Sequence, residues 1–410
     1  MIRDLDDDDF SAVLLARDAR GRFRAIEILP FVNSVAQVRI ALEPAMRGWA
    51  VRSDADYYQG DERGRPIDLF TPVVPRGRFH PHFAQVWQDE QFSPAREIIS
   101  AMAYYFEDPD GNFVEQFQTS GFDARTWELY LFASLHELGY AFDRSHPSPD
   151  YFCRGMSGEL FVEAVTVNPT MAGGLSLESG PPEDPSERKL YKQEYMPIKY
   201  GSALFSKLNR KYWELTHVVG KPIVFAIQDF HFPGSMKWSE PSLAPYLYGR
   251  SFTALHDPYG NLHIFSRPVG EHRWRNKSIP SGFFFLPGGE HVSAVLTNAQ
   301  GTLTKFNRLG ALAGFGSRRI RMLRRGTRYD PNPNASRPTP FVDEVTRAGY
   351  TEDWVEGMNV YHNPQAKIPL WPGLLEGAAH HFLRHDGQIR SLIPDGHPYG
   401  TETFIIFPRD

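Results

Sequence analysis

The amino-acid sequence predicts an α/β protein in which helices flank a mixed central sheet, with additions at the N and C termini. Two observations support this prediction. Residues 159–167 (ELFVEAVTV) and 222–227 (PIVFAI) are β-rich runs that are apolar on both faces, as expected of strands inside a sheet. A helical pattern at 201–215 separates the two runs, and another at 125–139 precedes them. Strands that alternate with helices in this way are typical of a mixed α/β sheet.

The N-terminal part of the chain predicts smaller elements. Residues 11–29 have the pattern of a β-hairpin that turns at Asp18–Gly21. Apolar residues recur at helical spacing in 35–48 and in 94–105, whereas 52–85 is polar and irregular. We therefore expect an N-terminal α+β region.

The middle of the chain carries the strongest patterns. They predict, in chain order, a helix at 125–139, strands at 139–143, 150–154 and 159–167, a polar loop at 168–197, a helix at 201–215, a strand at 222–227, a helix at 239–249, a hairpin at 251–266, and strands at 281–287 and 292–298. Further on, residues 326–340 have the composition of an exposed linker. We accordingly divide the chain into an N-terminal region, 1–105, a core, 106–300, and a C-terminal region, 301–410.

Composition limits the class of protein. No run approaches the roughly 18 consecutive apolar residues that a membrane-spanning helix needs, and the acidic start MIRDLDDDDF has no feature of a signal peptide. The single cysteine, Cys153, excludes an intrachain disulfide and a multi-cysteine zinc site. We therefore expect a cytoplasmic protein without a membrane partner. Because the net charge is −5, any contact with nucleic acid must use a local basic patch.

An acidic residue falls on the buried face of the first core helix. Glu128 shares that face with Leu131, Phe132 and Leu135, which follow it by three, four and seven residues. A buried carboxylate is costly unless a cation pairs with it or a metal recruits it. An ion pair, with Arg125 for example or with Arg144, is the alternative to a functional role.

Two further acids fall on neighbouring strands. Asp150 opens the aromatic strand at 150–154, and Glu163 lies in the middle of 159–167, where both faces are apolar. Glu163 should be buried whichever way it points, and buried carboxylates without a partner are rare. Three carboxylates that converge, Glu128 included, would suit Mg²⁺ or Mn²⁺, which prefer oxygen ligands.

The order Glu128, Asp150, Glu163–Val165 resembles the PD-(D/E)XK nuclease superfamily, which includes restriction endonucleases and many repair and defence nucleases. The resemblance covers roughly residues 121–229. It implies a restriction-endonuclease-like fold, Asp150 and Glu163 as ligands of Mg²⁺ (or Mn²⁺), Glu128 as an assisting acid, and DNA as substrate. It also suggests defence against foreign DNA. The run GFDAR-x-WELYL, which begins this segment, is in addition similar to runs in large bacterial proteins.

The sequence departs from that superfamily at one position. A lysine is expected two residues after the strand acid, where this chain has Val165. Some members move the basic residue to the following helix, so we expect Lys207 to take its place, with Lys199 next; a solvated helix lysine is the alternative. Arg210 and Lys211, on the same helix, would face phosphate or solvent.

The C-terminal region contains a concentrated basic cluster. Six arginines fall within eleven residues, and they would either bind phosphates or form a solvated helix face: Arg318, Arg319, Arg321, Arg324, Arg325 and Arg328.

Two rival interpretations follow from the same residues. Val165 favours a catalytically inactive nuclease-like subunit that binds nucleic acid or a partner protein, whereas the retained acids favour an enzyme. A homodimer and a complex with a partner subunit are the alternatives left open for its assembly. His80 and His82 lie at strand spacing, but no matching carboxylate is nearby in the sequence, so we interpret them as structural histidines.

Overall fold

The computed structural model describes residues 1–18, 23–52, 57, 67–106, 108, 111–172, 175–178 and 180–406. The tip of the turn predicted at Asp18–Gly21, and most of the polar segment within 52–66, lie outside these residues. The chain forms two compact units, one made of Met1–Val73 with Ile99–Val114, the other of Val74–Ile98 with Glu115–Asp410. This division differs from the predicted three regions, because residues 301–410 belong to the same unit as the core.

The helices are distributed over the length of the chain. Their bounds are α1 Val35–Ala50, α2 Pro81–Gln88, α3 Ser93–Ala103, α4 Phe113–Gln118, α5 Phe122–Glu137, α6 Pro185–Leu190, α7 Met196–Leu208, α8 Met236–Ser239, α9 Leu243–Tyr248 and α10 Leu303–Leu312. In the described part of the chain, no helix is both long enough and apolar enough to cross a bilayer.

The strands form one large sheet and several small ones. Their bounds are β1 Ile2–Arg3, β2 Phe10–Ser11, β3 Val13–Arg17, β4 Phe23–Ile28, β5 Ala141–Asp143, β6 Tyr151–Gly155, β7 Gly158–Val167, β8 Met171–Ala172, β9 Leu175–Ser176, β10 Ile223–Asp229, β11 Arg250–His256, β12 Leu262–Pro268, β13 Glu271–Trp274, β14 Lys277–Pro280, β15 Ala294–Thr297, β16 Arg321–Arg328, β17 Thr339–Glu344, β18 Asn359–His362, β19 Ala379–Leu383, β20 Ile389–Leu392 and β21 Pro398–Ile406.

The large sheet has eight strands in the order β20-β19-β18-β15-β10-β7-β6-β5. Strands β5, β6 and β7 are antiparallel neighbours, whereas β7 runs parallel to β10 and β10 parallel to β15. Two parallel strands need a crossover connection, and α7 lies in the connection between β7 and β10. The molecule is therefore a mixed α/β protein with a central mixed sheet and flanking helices, as the sequence predicted.

Helices α5 and α7 cover opposite faces of this sheet. Phe152 and Phe161, which face each other across β6 and β7, pack in one apolar cluster with Tyr200 and Leu204 of α7. The preceding residue of β6, Tyr151, points the other way, because strand side chains alternate, and its hydroxyl donates to a backbone carbonyl of α5 at 2.7 Å. From Thr126 to Leu135 every position of α5 except Glu128 is buried, as in a helix that is apolar all round.

Four expectations for individual elements were wrong. The polar loop predicted at 168–197 contains β8, β9 and α6. The helix predicted at 201–215 starts earlier and ends at Leu208. The strand predicted at 281–287 is a short 3₁₀ turn at Phe283–Phe285, between two glycines with positive φ. The linker predicted at 326–340 overlaps β16 and β17, which form a three-stranded antiparallel sheet with β21.

The N-terminal unit contains the predicted hairpin and helix. Strands β3 and β4 pair antiparallel, and Ala12, Leu14 and Leu29 pack against Val38 of α1 in a small apolar core. Helix α1 begins where the Ser34 hydroxyl accepts a hydrogen bond from the Gln37 backbone at 3.3 Å, a common way to cap a helix.

Candidate functional site

Asp150 and Glu163 face each other across two neighbouring strands. Tyr151 pairs with Val162, so the register places Asp150 opposite Glu163. The Asp150 backbone N–H donates to Glu163 Oε2 at 3.2 Å, and Asp150 Oδ2 accepts from the Ala164 backbone N–H at 2.7 Å. Glu163 is only 2% exposed, as its apolar strand predicted. The two acids are thus fixed together by backbone hydrogen bonds.

Lys207 reaches this pair from the neighbouring helix. Its ammonium group forms an ion pair with Glu163 Oε1, and the Tyr212 hydroxyl donates to the same oxygen at 2.6 Å. Val165 itself is buried in the apolar cluster under α7. The structure therefore brings the candidate replacement lysine to the strand acid, while the usual lysine position is part of the core.

Glu128 lies on α5 and is paired with a cation. Arg125 Nη1 is 2.6 Å from Glu128 Oε2, which is the ion pair that the sequence left open as an alternative. Burial raises the pKa of Glu128, and the nearby charge of Glu163 raises it too, although Arg125 and Lys207 oppose this shift. Glu128 is thus close enough to the strand acids to interact with them electrostatically.

Negative charge is crowded around Asp150. Burial raises the pKa of Asp150 to about 8, and repulsion from Glu163 and Glu128 contributes, although Lys207 acts in the opposite direction. A carboxyl group in this situation holds a proton near neutral pH unless a further cation approaches. The positive charges near Asp150, Glu163 and Glu128 therefore do not fully balance these three carboxylates.

These acids fit a hard divalent cation that keeps much of its water. Mg²⁺ in proteins is usually held by one or two carboxylates together with substrate phosphate and water. Asp150 and Glu163 supply such a pair, whereas the three acids together do not bring one oxygen each within 4.8 Å of the others among the described residues. Glu128 consequently fits a supporting role better than that of a third ligand.

The other basic candidates on this side of the molecule differ in their surroundings. Lys199 does not lie at the acids: its amine is 2.7 Å from Glu178 Oε1, which is why the pKa of Glu178 is lowered to about 2 despite its burial. Arg210 and Lys211 lie beyond the end of α7, not on it. Arg210 is exposed, and its raised pKa reflects the nearby Tyr212 and also the charges of Glu163 and Asp150.

The arginine cluster is largely paired with acids. Arg321 to Arg328 lie on strand β16, not on a helix. Carboxylates contact four of the arginines, namely Arg321 (Glu344), Arg324 (Glu352 and Glu356), Arg325 (Glu402) and Arg328 (Asp343). Because Arg324 is buried, it cannot contact phosphate in this conformation. Arg318 and Arg319 are exposed residues of the loop before β16.

Two groups of residues were missed or misinterpreted from the sequence. Tyr212 gave no signal, because its partner Glu163 is 49 residues away.

His80 and His82 do not lie on a strand: His80 immediately precedes α2 and His82 is in its first turn. The carboxylate that seemed to be missing is Asp123, at the start of α5. One ligand atom from each of these three residues lies within 4.8 Å of the others.

Comparison with known proteins identified no relative of this chain. No protein-family model, no curated protein and no solved structure matches this chain.

Proposed function

We propose that this protein is a metal-dependent nuclease that hydrolyses phosphodiester bonds of DNA. One observation supports this above all: Asp150 and Glu163 are held side by side at adjacent strands, and Lys207 reaches Glu163 from the next helix. The helix, three strands, crossover helix and strand expected around these residues are also all present. This combination supports a divergent restriction-endonuclease-like core of the PD-(D/E)XK kind.

In this proposal Asp150 and Glu163 hold Mg²⁺ or Mn²⁺. A bound ion of this type neutralises a phosphate oxygen and lowers the pKa of a water molecule. The crowding that raises the pKa of Asp150 favours such an ion, because a divalent charge would relieve the repulsion among Asp150, Glu163 and Glu128.

Lys207 and Glu128 have supporting roles in the same proposal. An ammonium group has three N–H donors, so Lys207 can keep its contact with Glu163 and still orient a water molecule or a phosphate oxygen. Glu128, fixed by Arg125, adds negative charge beside the two ligands. Arg210, exposed and close to the acids, is positioned to contact the DNA backbone.

A second candidate function is an inactive subunit that binds nucleic acid or a partner protein. Glu163 already has three protein donors, namely Lys207, Tyr212 and the Asp150 backbone. A carboxylate satisfied in this way can be purely structural. The two candidates differ in whether the acids are needed for metal-dependent cleavage.

The test is a cleavage assay with matched ion-pair controls. Purified protein is incubated with supercoiled plasmid, single-stranded DNA and RNA in Mg²⁺, Mn²⁺ or EDTA. We expect Asp150→Asn and Glu163→Gln to abolish cleavage, and Lys207→Met to lower it by about 100-fold or more. Glu178→Gln and Lys199→Met are the controls. They break a similar ion pair, between Glu178 and Lys199 of α7, and both variants should cleave DNA like the wild type.

The outcomes separate the two candidates. Cleavage that survives in both acid variants would refute the proposed site. Absence of cleavage by folded wild-type protein with every substrate and metal, together with salt-sensitive DNA binding, would establish the inactive subunit in its place.

A further inference from the structure

A second group of possible ligands lies at the start of α5, separate from the acidic site. Asp123 and Glu128 are on the same helix but five residues apart, so their side chains diverge by roughly 140° around the axis and about 7.5 Å along it. Asp123 therefore faces a different part of the molecule, where it meets His80 and His82 of α2.

The three side chains approach one another without forming hydrogen bonds. His80 Nε2 is 4.0 Å from Asp123 Oδ2, and His82 Nδ1 is 3.7 Å from Asp123 Oδ1. Both distances are too long for a hydrogen bond. Ligand atoms around a tetrahedral zinc ion are roughly 3.3 Å apart at zinc–ligand bonds near 2.0–2.2 Å. One ligand atom from each of the three residues lies within 4.8 Å of the others, so these atoms must approach one another by at most about 1.5 Å to hold one ion.

The imidazole rings are held in place by an aromatic neighbour. His80 stacks on Phe122, with ring centroids 5.2 Å apart and planes inclined by 10°. His82 contacts the edge of the same ring at 6.1 Å. Since Phe122 immediately precedes Asp123 on α5, the residue that orients the histidines also adjoins the carboxylate. Ligands fixed in this way lose little conformational entropy when an ion binds.

The group opens into a large cavity. His80, His82 and Asp123 are part of the lining of a space of about 840 Å³ in the larger unit. Thr126, one turn after Asp123, also lines it, and its hydroxyl is buried without a hydrogen-bond partner among the described residues. The Nδ1 atom of His80 is likewise buried and without a partner there. Polar atoms in this state are rare in a folded protein, and a water molecule, an ion or another polar ligand in the cavity would satisfy them.

We propose that His80, His82 and Asp123 bind one divalent transition-metal ion of the Zn²⁺ class at the wall of this cavity. Two imidazoles and one carboxylate suit zinc and its neighbours, whereas carboxylates alone suit Mg²⁺. Three protein ligands leave at least one coordination position for water or a ligand in the cavity, the arrangement of reactive rather than purely structural zinc sites. This site is independent of the proposed nuclease centre.

The test is metal binding, which needs no knowledge of the reaction. Metal-free full-length protein is titrated with Co²⁺, whose visible absorption spectrum reports coordination, and with Zn²⁺, whose content is measured after gel filtration. We expect one tightly bound ion per chain. His82→Ala and Asp123→Asn should bind it at least ~100-fold more weakly, because each removes a direct ligand. Both variants should stay folded, since His82 is half exposed and the asparagine keeps the shape of Asp123.

Two control variants locate the ion. His263→Ala removes an exposed histidine that lies 3.1 Å from Asp257, a pair that has no third ligand among the described residues, and should leave binding unchanged. Glu163→Gln should also leave it unchanged, even if the protein proves to have no nuclease activity. The proposal is refuted if wild-type protein binds no stoichiometric ion, if His82→Ala and Asp123→Asn bind it normally, or if Glu163→Gln is the variant that loses it.

Discussion

Glu163 is both a buried residue that stabilises the fold and a proposed metal ligand. It is buried beneath α7, and its oxygens accept from Lys207, Tyr212 and a backbone N–H. Removal of one partner of a buried ion pair leaves an uncompensated charge and can cost several kcal/mol of stability. Lys207→Met can therefore lose activity simply because the protein is destabilised. Lys199→Met, which breaks a comparable ion pair away from the acids, controls for this effect.

A half-buried acid, Glu240, makes stability depend on pH. Burial raises the pKa of Glu240 to about 8 from 4.5, and its Oε1 accepts from Asn359 at 2.7 Å. Between pH 4.5 and 8 the unfolded chain releases this proton while the folded chain keeps it. The free energy of unfolding should therefore fall as pH rises through this window, by at most about 1.4 kcal/mol per pH unit.

Glu240→Gln should remove that dependence. Glutamine keeps an oxygen acceptor for Asn359 but does not titrate, so we expect the variant to be close to wild type at pH 5 and at least about 1 kcal/mol more stable at pH 8. Urea unfolding at the two pH values measures this, with the exposed Glu43→Gln as control. A stability difference that does not grow with pH would contradict the assignment.

At the scale of elements, patterns of apolar residues predicted α5, β6, β7 and β10 well, because burial on both faces leaves a strong signal in the sequence. They did not distinguish a strand from a short turn at 281–287, where a brief apolar run is ambiguous. Likewise the burial of Glu163 could be predicted from the apolar residues of its own strand. Its contact with Tyr212 could not, because it depends on the path of the chain between α7 and β10.

The approach of α10 to α3 is controlled by one glycine. A Cβ atom at Gly310 would lie 2.3 Å from the carbonyl oxygen of Pro94, so the two backbones could not keep their present distance. We expect Gly310→Ala to lower the free energy of unfolding by about 1–3 kcal/mol, in spite of the higher helix propensity of alanine. Chemical denaturation followed by circular dichroism measures the change.

Gly48→Ala is the matched control for this prediction. Gly48 lies in α1, and a Cβ atom there would have nothing within 4 Å. Alanine should therefore stabilise α1 by about 0.5–1 kcal/mol. Equal effects of the two substitutions would mean that the contact with Pro94 does not limit the packing of α10.

At the scale of the whole molecule, the last hundred residues complete the core rather than forming an appendage. Strands β18, β19 and β20 extend the large sheet beyond β15, and β16, β17 and β21 form a three-stranded sheet in the same unit. The sequence did not predict this, because β18, β19 and β20 are short and the pairing of these strands joins distant segments.

A buried cluster of charges connects α10, β16 and the segment after β17. Glu352 accepts two hydrogen bonds from Arg308 at 2.7 Å, and Lys305 and Arg324 lie within 4 Å of its oxygens. Burial alone would raise the pKa of Glu352, but these three cations outweigh it and lower that pKa below its usual 4.5. The carboxylate therefore stays ionised and balances several buried positive charges.

Glu352→Gln should destabilise the larger unit as a whole. The substitution leaves three buried cations without their common counter-ion, so we expect a loss of about 3 kcal/mol or more at pH 7. Glu344→Gln, which breaks the more exposed pair with Arg321, should lower the free energy of unfolding by less than about 1 kcal/mol.

The stabilisation by Glu352 should also depend on pH. As pH falls below 4.5, the unfolded chain binds a proton at position 352 before the folded chain does, so wild-type stability should decline. The gap between wild type and Glu352→Gln should consequently narrow in acid, and a gap that is constant with pH would show that the ionised carboxylate is not the source of the stabilisation.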